Sequence, residues 1–155
     1  MSNVRAALIA LVTVAACKAD PPTGVEYRHP SPPFKLRIPT GLEQGKVHPE
    51  TDGGNLAFTS KDGSREVFLM WAKTGSQLDP QSNYASYGKE PDHKKTLAEG
   101  ILPGNVGKWI EHDRGRIYVH AVGTKDGWGV LCMASSPTTK IDVELLDACK
   151  ALSFY

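Results

Sequence analysis

The clearest pattern along the chain is the alternation of apolar and polar positions in its last third. Trp109 to His112, Ile117 to Gly123 and Trp128 to Ser135 read as three strands joined by the short turns Asp113-Arg114-Gly115-Arg116 and Thr124-Lys125-Asp126-Gly127. The second and third strands are apolar at both parities. Ile117, Val119 and Ala121 lie on one side, Tyr118 and Val122 on the other, and Val130-Leu131-Cys132-Met133 run consecutively. Strands of that kind belong to a sheet covered on both faces at its centre. Upstream, Phe34, Leu36 and Ile38 alternate with Lys35 and Arg37, and Pro39 ends the strand. Asn55 to Ser60 and Val67 to Trp71 flank Lys61-Asp62-Gly63-Ser64, where Asp-Gly supplies the positive φ of a tight hairpin.

Two segments carry helical signals. Asp79 suits an N-cap with Pro80 in the first turn, and the helix that follows carries Tyr84 and Tyr87 before failing near Gly88 or Pro91. The polar stretch from Gly88 to Glu99 reads as loop. After Pro137, Thr138 or Thr139 caps a helix running to about Ala151, with Ile141, Leu145, Ala148, Cys149 and Leu152 on one stripe. Asp142, Glu144, Asp147 and Lys150 fall mostly off that stripe.

The start of the chain follows a different pattern. Arg5 precedes an uncharged apolar run from Ala6 to Ala16. Those eleven residues are too few to span a hydrocarbon core that needs roughly 20 in a helix, and they match a secretory signal. Val14-Ala15-Ala16-Cys17 at its end resembles the lipobox of bacterial lipoproteins. That resemblance implies cleavage before Cys17 and acylation of this cysteine; a plain signal peptide with a chance cysteine is the alternative. From Lys18 to Pro33 the chain holds Pro21, Pro22, Pro30, Pro32 and Pro33. That composition favours an extended tether, which at about 3.1 Å per residue would reach roughly 50 Å. An edge strand over Val25-Glu26-Tyr27 is the competing reading. By analogy with the lipoprotein sorting signal, Lys18 in place of an aspartate points to the outer membrane, facing the periplasm. The expected organisation is a signal peptide over 1–16, acylated Cys17 and tether over 17–33, and a single domain over 34–155.

Composition sharpens this picture. The chain has 155 residues, with 18 Lys and Arg against 17 Asp and Glu. Removing the first sixteen takes Arg5 away and leaves 139 residues at formal neutrality. One domain of that size can bury a proper core. Neutrality argues against nucleic acid as a partner, which needs a basic field. It also argues against electrostatic attachment to anionic lipid, so the acyl chains must hold the membrane. Outside the cytosol, two cysteines remain once Cys17 is used. Cys149 faces the sheet that carries Cys132, so a Cys132–Cys149 disulfide is expected, closing a loop that stabilises by about 3 kcal/mol. Two separate buried thiols are the alternative.

The opening strand Phe34-Lys35-Leu36-Arg37-Ile38-Pro39, the run of hairpins and a last helix ending Cys149-Lys150-Ala151-Leu152-Ser153-Phe154 resemble the PsbP-like fold. That fold occurs in photosystem PsbP subunits and in DcrB-type bacterial lipoproteins. The resemblance covers about residues 25–155. It implies an α+β class, an antiparallel β-sheet with helices on both faces (an α/β/α sandwich), and an accessory or binding role.

Motifs that would argue for catalysis are missing from the sequence. There is no Gly-x-Ser-x-Gly, HExxH or CxxC, and Asp52-Gly53-Gly54-Asn55 lacks the spacing and lysine of a phosphate loop. No catalytic residue, metal ligand or cofactor is assigned. One constellation stands out. If Arg114-Gly115 is a two-residue loop, Glu111 faces Tyr118 and Trp109 faces His120. Trp109, Glu111, Tyr118 and His120 would then share one candidate binding face, with His112 on the other. An imidazole beside a carboxylate can bind metal or shuttle protons; a structural aromatic–histidine pair is the alternative. The leading expectation is a non-enzymatic, lipid-anchored envelope protein with a protein partner. A small hydrolase or metal-dependent enzyme using the Glu111/His120 face, or an inhibitor or immunity lipoprotein, are the other readings.

Overall fold

The computed structural model describes residues 23–86 and 95–155. In chain order the strands are β1 (Val25–Pro30), β2 (Pro33–Ile38), β3 (Leu42–Gln44), β4 (His48–Glu50), β5 (Gly53–Ser60) and β6 (Glu66–Lys73). Helix α1 (Pro80–Ser86) precedes β7 (Lys95–Ile101), β8 (Gly107–Asp113), β9 (Arg116–Lys125) and β10 (Trp128–Pro137). Helix α2 (Val143–Lys150) and the short β11 (Ser153–Phe154) close the chain. The main sheet runs β3-β5-β6-β10-β9-β8-β7, with β4 also on β5, and a smaller sheet runs β1-β2-β11. Every pairing is antiparallel.

The core lies between the two sheets. Phe34, Leu36 and Ile38 of β2 turn inward at alternate positions and are buried. They meet Leu56, Phe58, Val67, Leu69, Val119 and Ala121 on the main sheet. At the centre β9 and β10 are buried at both parities, as their unbroken apolar runs require. Helix α2 packs on the core face, where Cys149 is bridged to Cys132 with a Cα–Cα separation of 5.3 Å. The small sheet shares that face: the Tyr27 ring meets Phe58 edge-on at 5.0 Å, and His29 sits 4.2 Å from Trp71. Pro80 at the head of α1 packs over Gly129 on the opposite face.

Several expectations need correcting. The α/β/α sandwich with helices on both faces is not what forms: 56% of the described residues are in strands and 14% are helical, with only two short α-helices among them. The layer over the core face is a second sheet plus α2, and the other face carries the seven-residue α1 over one end. The Pro-rich stretch folds from Val25 onward. Pro30 and Pro33 are paired across the two-residue turn Ser31-Pro32, whose peptide is cis, at the turn end of the β1–β2 hairpin, the last residue of one strand and the first of the next. The polar stretch read as loop contains β7, an edge strand with mostly exposed side chains. Helix α2 starts at Val143 with Asp142, not a threonine, as its cap: the Asp142 carboxylate accepts from Leu145 N at 3.0 Å. Ile141 is therefore outside the helix and exposed, and Leu146 takes its place in the buried stripe. Tyr87, Gly88 and Pro91 lie outside the described residues, as do Cys17 and the first sixteen positions. Among the described residues no helix is long and apolar enough to cross a membrane.

The register of the main sheet defines two ends. Glu66, Asp113, Arg116 and Pro137 lie at the end where α2 begins, called lower here; Lys73, Gly107, Lys125 and Trp128 lie at the upper end.

Candidate functional site

The β8–β9 hairpin decides which polar groups meet. Asp113 pairs with Ile117, so the loop has three residues, Arg114 to Arg116, and not two. Gly115 takes φ +89° in its middle, and its N–H donates to Asp113 Oδ1 at 2.7 Å. The extra residue slips the pairing by one, and a one-residue slip moves the partner strand's side chains to the other face. His112 now faces Tyr118, Ile110 faces His120, Glu111 faces Val119 and Trp109 faces Ala121.

The expected face is thus split. Trp109 and Glu111 turn to the core side, where Lys150 Nζ lies 2.8 Å from Glu111 Oε2 and 4.9 Å above the Trp109 ring. Burial pulls the Lys150 ammonium down, but the carboxylates of Glu111 and Asp147 outweigh it and hold it above its usual range. Tyr118 and His120 lie on the opposite side, and His112, expected elsewhere, joins them. His112 Nε2 and His120 Nδ1 are 2.7 Å apart, so one ring donates the shared proton and the other accepts it. The two imidazoles are 1% and 3% exposed. Burial, then the neighbouring His112 and Arg114, push His120 down to about 3, so it is neutral at physiological pH. Gly115 marks the turn in the sequence but fits a loop of two or three residues, so it did not single out this pair.

Two grooves open on this outer face. The lower one, about 250 Å³, is lined by Glu66, Phe68, Tyr118, His120, Met133 and Ser135. It offers aromatic and thioether surface over the buried His120, with one carboxylate among its lining residues. The upper one, about 460 Å³, lies between α1 and the β7–β8 edge, with Tyr84, Ile101, Asn105, Lys108 and Val122 in its walls. Lys108 Nζ sits 5.4 Å from the Tyr84 ring centroid. Burial, helped by Glu99, pushes the Tyr84 hydroxyl up to about 12, so it stays a protonated donor at any physiological pH. Among the described residues no three His, Cys, Asp or Glu side chains gather to hold a metal. The two grooves differ in chemistry: one joins an apolar wall to a carboxylate, the other to a cation and a phenol.

No protein-family model matches the chain, and no curated protein matches it either. Solved structures do. The solution structure of cyanobacterial PsbP (CyanoP) from Synechocystis sp. PCC 6803 superposes with a TM-score of 0.58 at 12% identity, over 92% of this chain and 99% of that one. A crystal structure from Bacteroides thetaiotaomicron VPI-5482 gives 0.51 at 12% identity over 86% of this chain, which spans about half (49%) of that longer protein. At such identity the likeness is one of fold, and the fold is PsbP-like.

Proposed function

We propose that this chain is an acylated cell-envelope protein whose PsbP-like domain binds a partner at its outer face. The observation that carries the anchor is Val14-Ala15-Ala16-Cys17 at the end of the apolar run, a small-residue box in register with a cysteine. The Cys132–Cys149 bridge supports it, since such bonds persist in oxidising compartments. Lys18 favours the outer membrane, facing the periplasm. Binding is favoured over hydrolysis or metal-dependent chemistry at Glu111 and His120 because the two groups lie on opposite faces of β8–β9, each with its own partner. A carboxylate that never meets the imidazole cannot orient it as a base.

Two experiments test this. Metabolic labelling with a palmitate analogue should mark the protein and lose the mark in Cys17→Ala; label that survives the substitution refutes the anchor. Photo-crosslinking from Phe68 and from Tyr84 in intact envelopes should capture a discrete protein partner at one groove. Capture of a lysozyme-like enzyme or toxin would identify the inhibitor or immunity role. Repeated absence of any adduct from both positions would refute the binding reading.

A further inference from the structure

The folded domain begins much closer to Cys17 than the proline pattern implies. Thr23 already contacts Glu144 of α2, and the Gly24 carbonyl accepts from Arg37 at 2.9 Å. Only residues 18–22 separate Cys17 from Thr23. Six Cα-to-Cα steps of at most ~3.6 Å reach about 20 Å. A domain of this length is roughly 35 Å across, and the headgroup layer takes up about 6 Å of the link. The domain is therefore held within about 14 Å of the headgroups, less than half its own width, with the part nearest Thr23 closest to the lipid.

That part has the right surface. Val25 is 74% exposed, Val143 61% and Ile141 53%. Val25 is two residues from Thr23, and it pairs with Ile38, whose strand leads to Thr40 beside Glu144. Ile141 and Val143 flank the Asp142 cap of the same helix end. Arg65 bridges the two carboxylates there: its Nε lies 2.7 Å from Asp142 Oδ2, and its Nη2 lies 3.6 Å from Glu144 Oε2. The lower end thus presents three apolar side chains beside two carboxylates that one guanidinium partly neutralises.

We propose that this lower end, with Val25, Ile141 and Val143, rests on the phospholipid surface and inserts shallowly into it, fixing the domain's orientation. The proposal depends on acylation of Cys17. Its test compares amide deuterium uptake in the acylated protein, on phosphatidylethanolamine–phosphatidylglycerol vesicles, with that of unacylated Cys17→Ala protein mixed with the same vesicles. Uptake over residues 23–27 and 139–146 should slow several-fold in the acylated protein alone. The acylated Val25→Asp/Val143→Asp variant should still float with vesicles and carry label, yet take up deuterium there at the free protein's rate. If the acylated protein floats and these segments exchange unchanged, or protection appears around Leu97 and Ile101 instead, the docking face is wrong while the anchor stands. If the protein carries no label and does not float, the anchor itself is wrong and the docking face falls with it.

Discussion

Acid should weaken this domain through His120, by an amount the structure sets. Its ring is buried among Ile110, Tyr118, Met133 and His112, and it is held neutral down to about pH 3. In the unfolded chain it takes a proton near pH 6.5. Below that value the unfolded state binds a proton that the folded state refuses, so stability is full above pH 6.5 and is lost as pH falls towards 3. Between pH 7 and pH 5 the loss from this residue is about 2 kcal/mol. His29, also lowered by burial, adds a term of the same sign. Carboxylates whose folded pKa is lowered, such as Asp62 at about 2 and Glu26, act only below this window. Urea unfolding at pH 7 and pH 5, on wild type and His120→Gln, isolates the effect. The glutamine amide can still hydrogen-bond His112, and comparing each protein with itself removes the cost of the substitution. Wild type should lose about 2 kcal/mol more than the variant on acidification. Equal losses in the two proteins, or a wild type no weaker at pH 5, would refute the assignment of a buried neutral imidazole.

The remaining expectations concern packing and pairing. Cys149→Ala, or reduction of the bridge that closes 17 residues, should lower the unfolding free energy by about 3 kcal/mol, read from the shift in urea midpoint. Gly107→Ala should prevent stable folding, because its new methyl would sit 1.9 Å from the Val122 carbonyl oxygen across β8–β9; a variant with unchanged melting temperature would show that the strands are not so close. Lys150→Met leaves the half-buried Glu111 without its cation and should cost about 2 kcal/mol, with part of the loss regained in Glu111→Gln/Lys150→Met.

Where burial is one-sided, the sequence was easy to read. The alternation at Phe34, Leu36 and Ile38 is the inward face of β2, and Asp62-Gly63 joins β5 to β6 as the turn chemistry requires, with Gly63 at φ +69°. The bridge was legible too, because Cys149 lies on the buried stripe of a helix that packs against the sheet bearing Cys132. What escaped has physical causes. Pro30 to Pro33 resemble a tether because proline marks both extended linkers and edge-strand turns; the partner strand decides between them. Strand β7 shows no alternation because it buries almost nothing, and backbone pairing with β8 holds it. The candidate face failed by a single residue. Arg114-Gly115-Arg116 accommodates either loop length, and the side chains change faces between the two.

The observed register has a functional consequence if the lower end faces the membrane as proposed. The lower groove, with Phe68, Tyr118, His120 and Met133, opens in the half of the sheet nearest α2's start, and Glu66 at its rim neighbours Arg65. The upper groove, with Tyr84 and Lys108, lies at the far end. A domain standing on Val25, Ile141 and Val143 would hold the lower groove beside the headgroups and the upper one towards the aqueous space. The two photo-crosslinking positions then sample different compartments. A partner captured from Tyr84 alone is one that approaches from solution, and a partner captured from Phe68 alone is itself at the membrane. Converting Val25 and Val143 to aspartate frees the orientation without touching either groove, so it should weaken capture at Phe68 and spare capture at Tyr84. Equal loss at both positions would mean that the face does not set how the domain meets its partner.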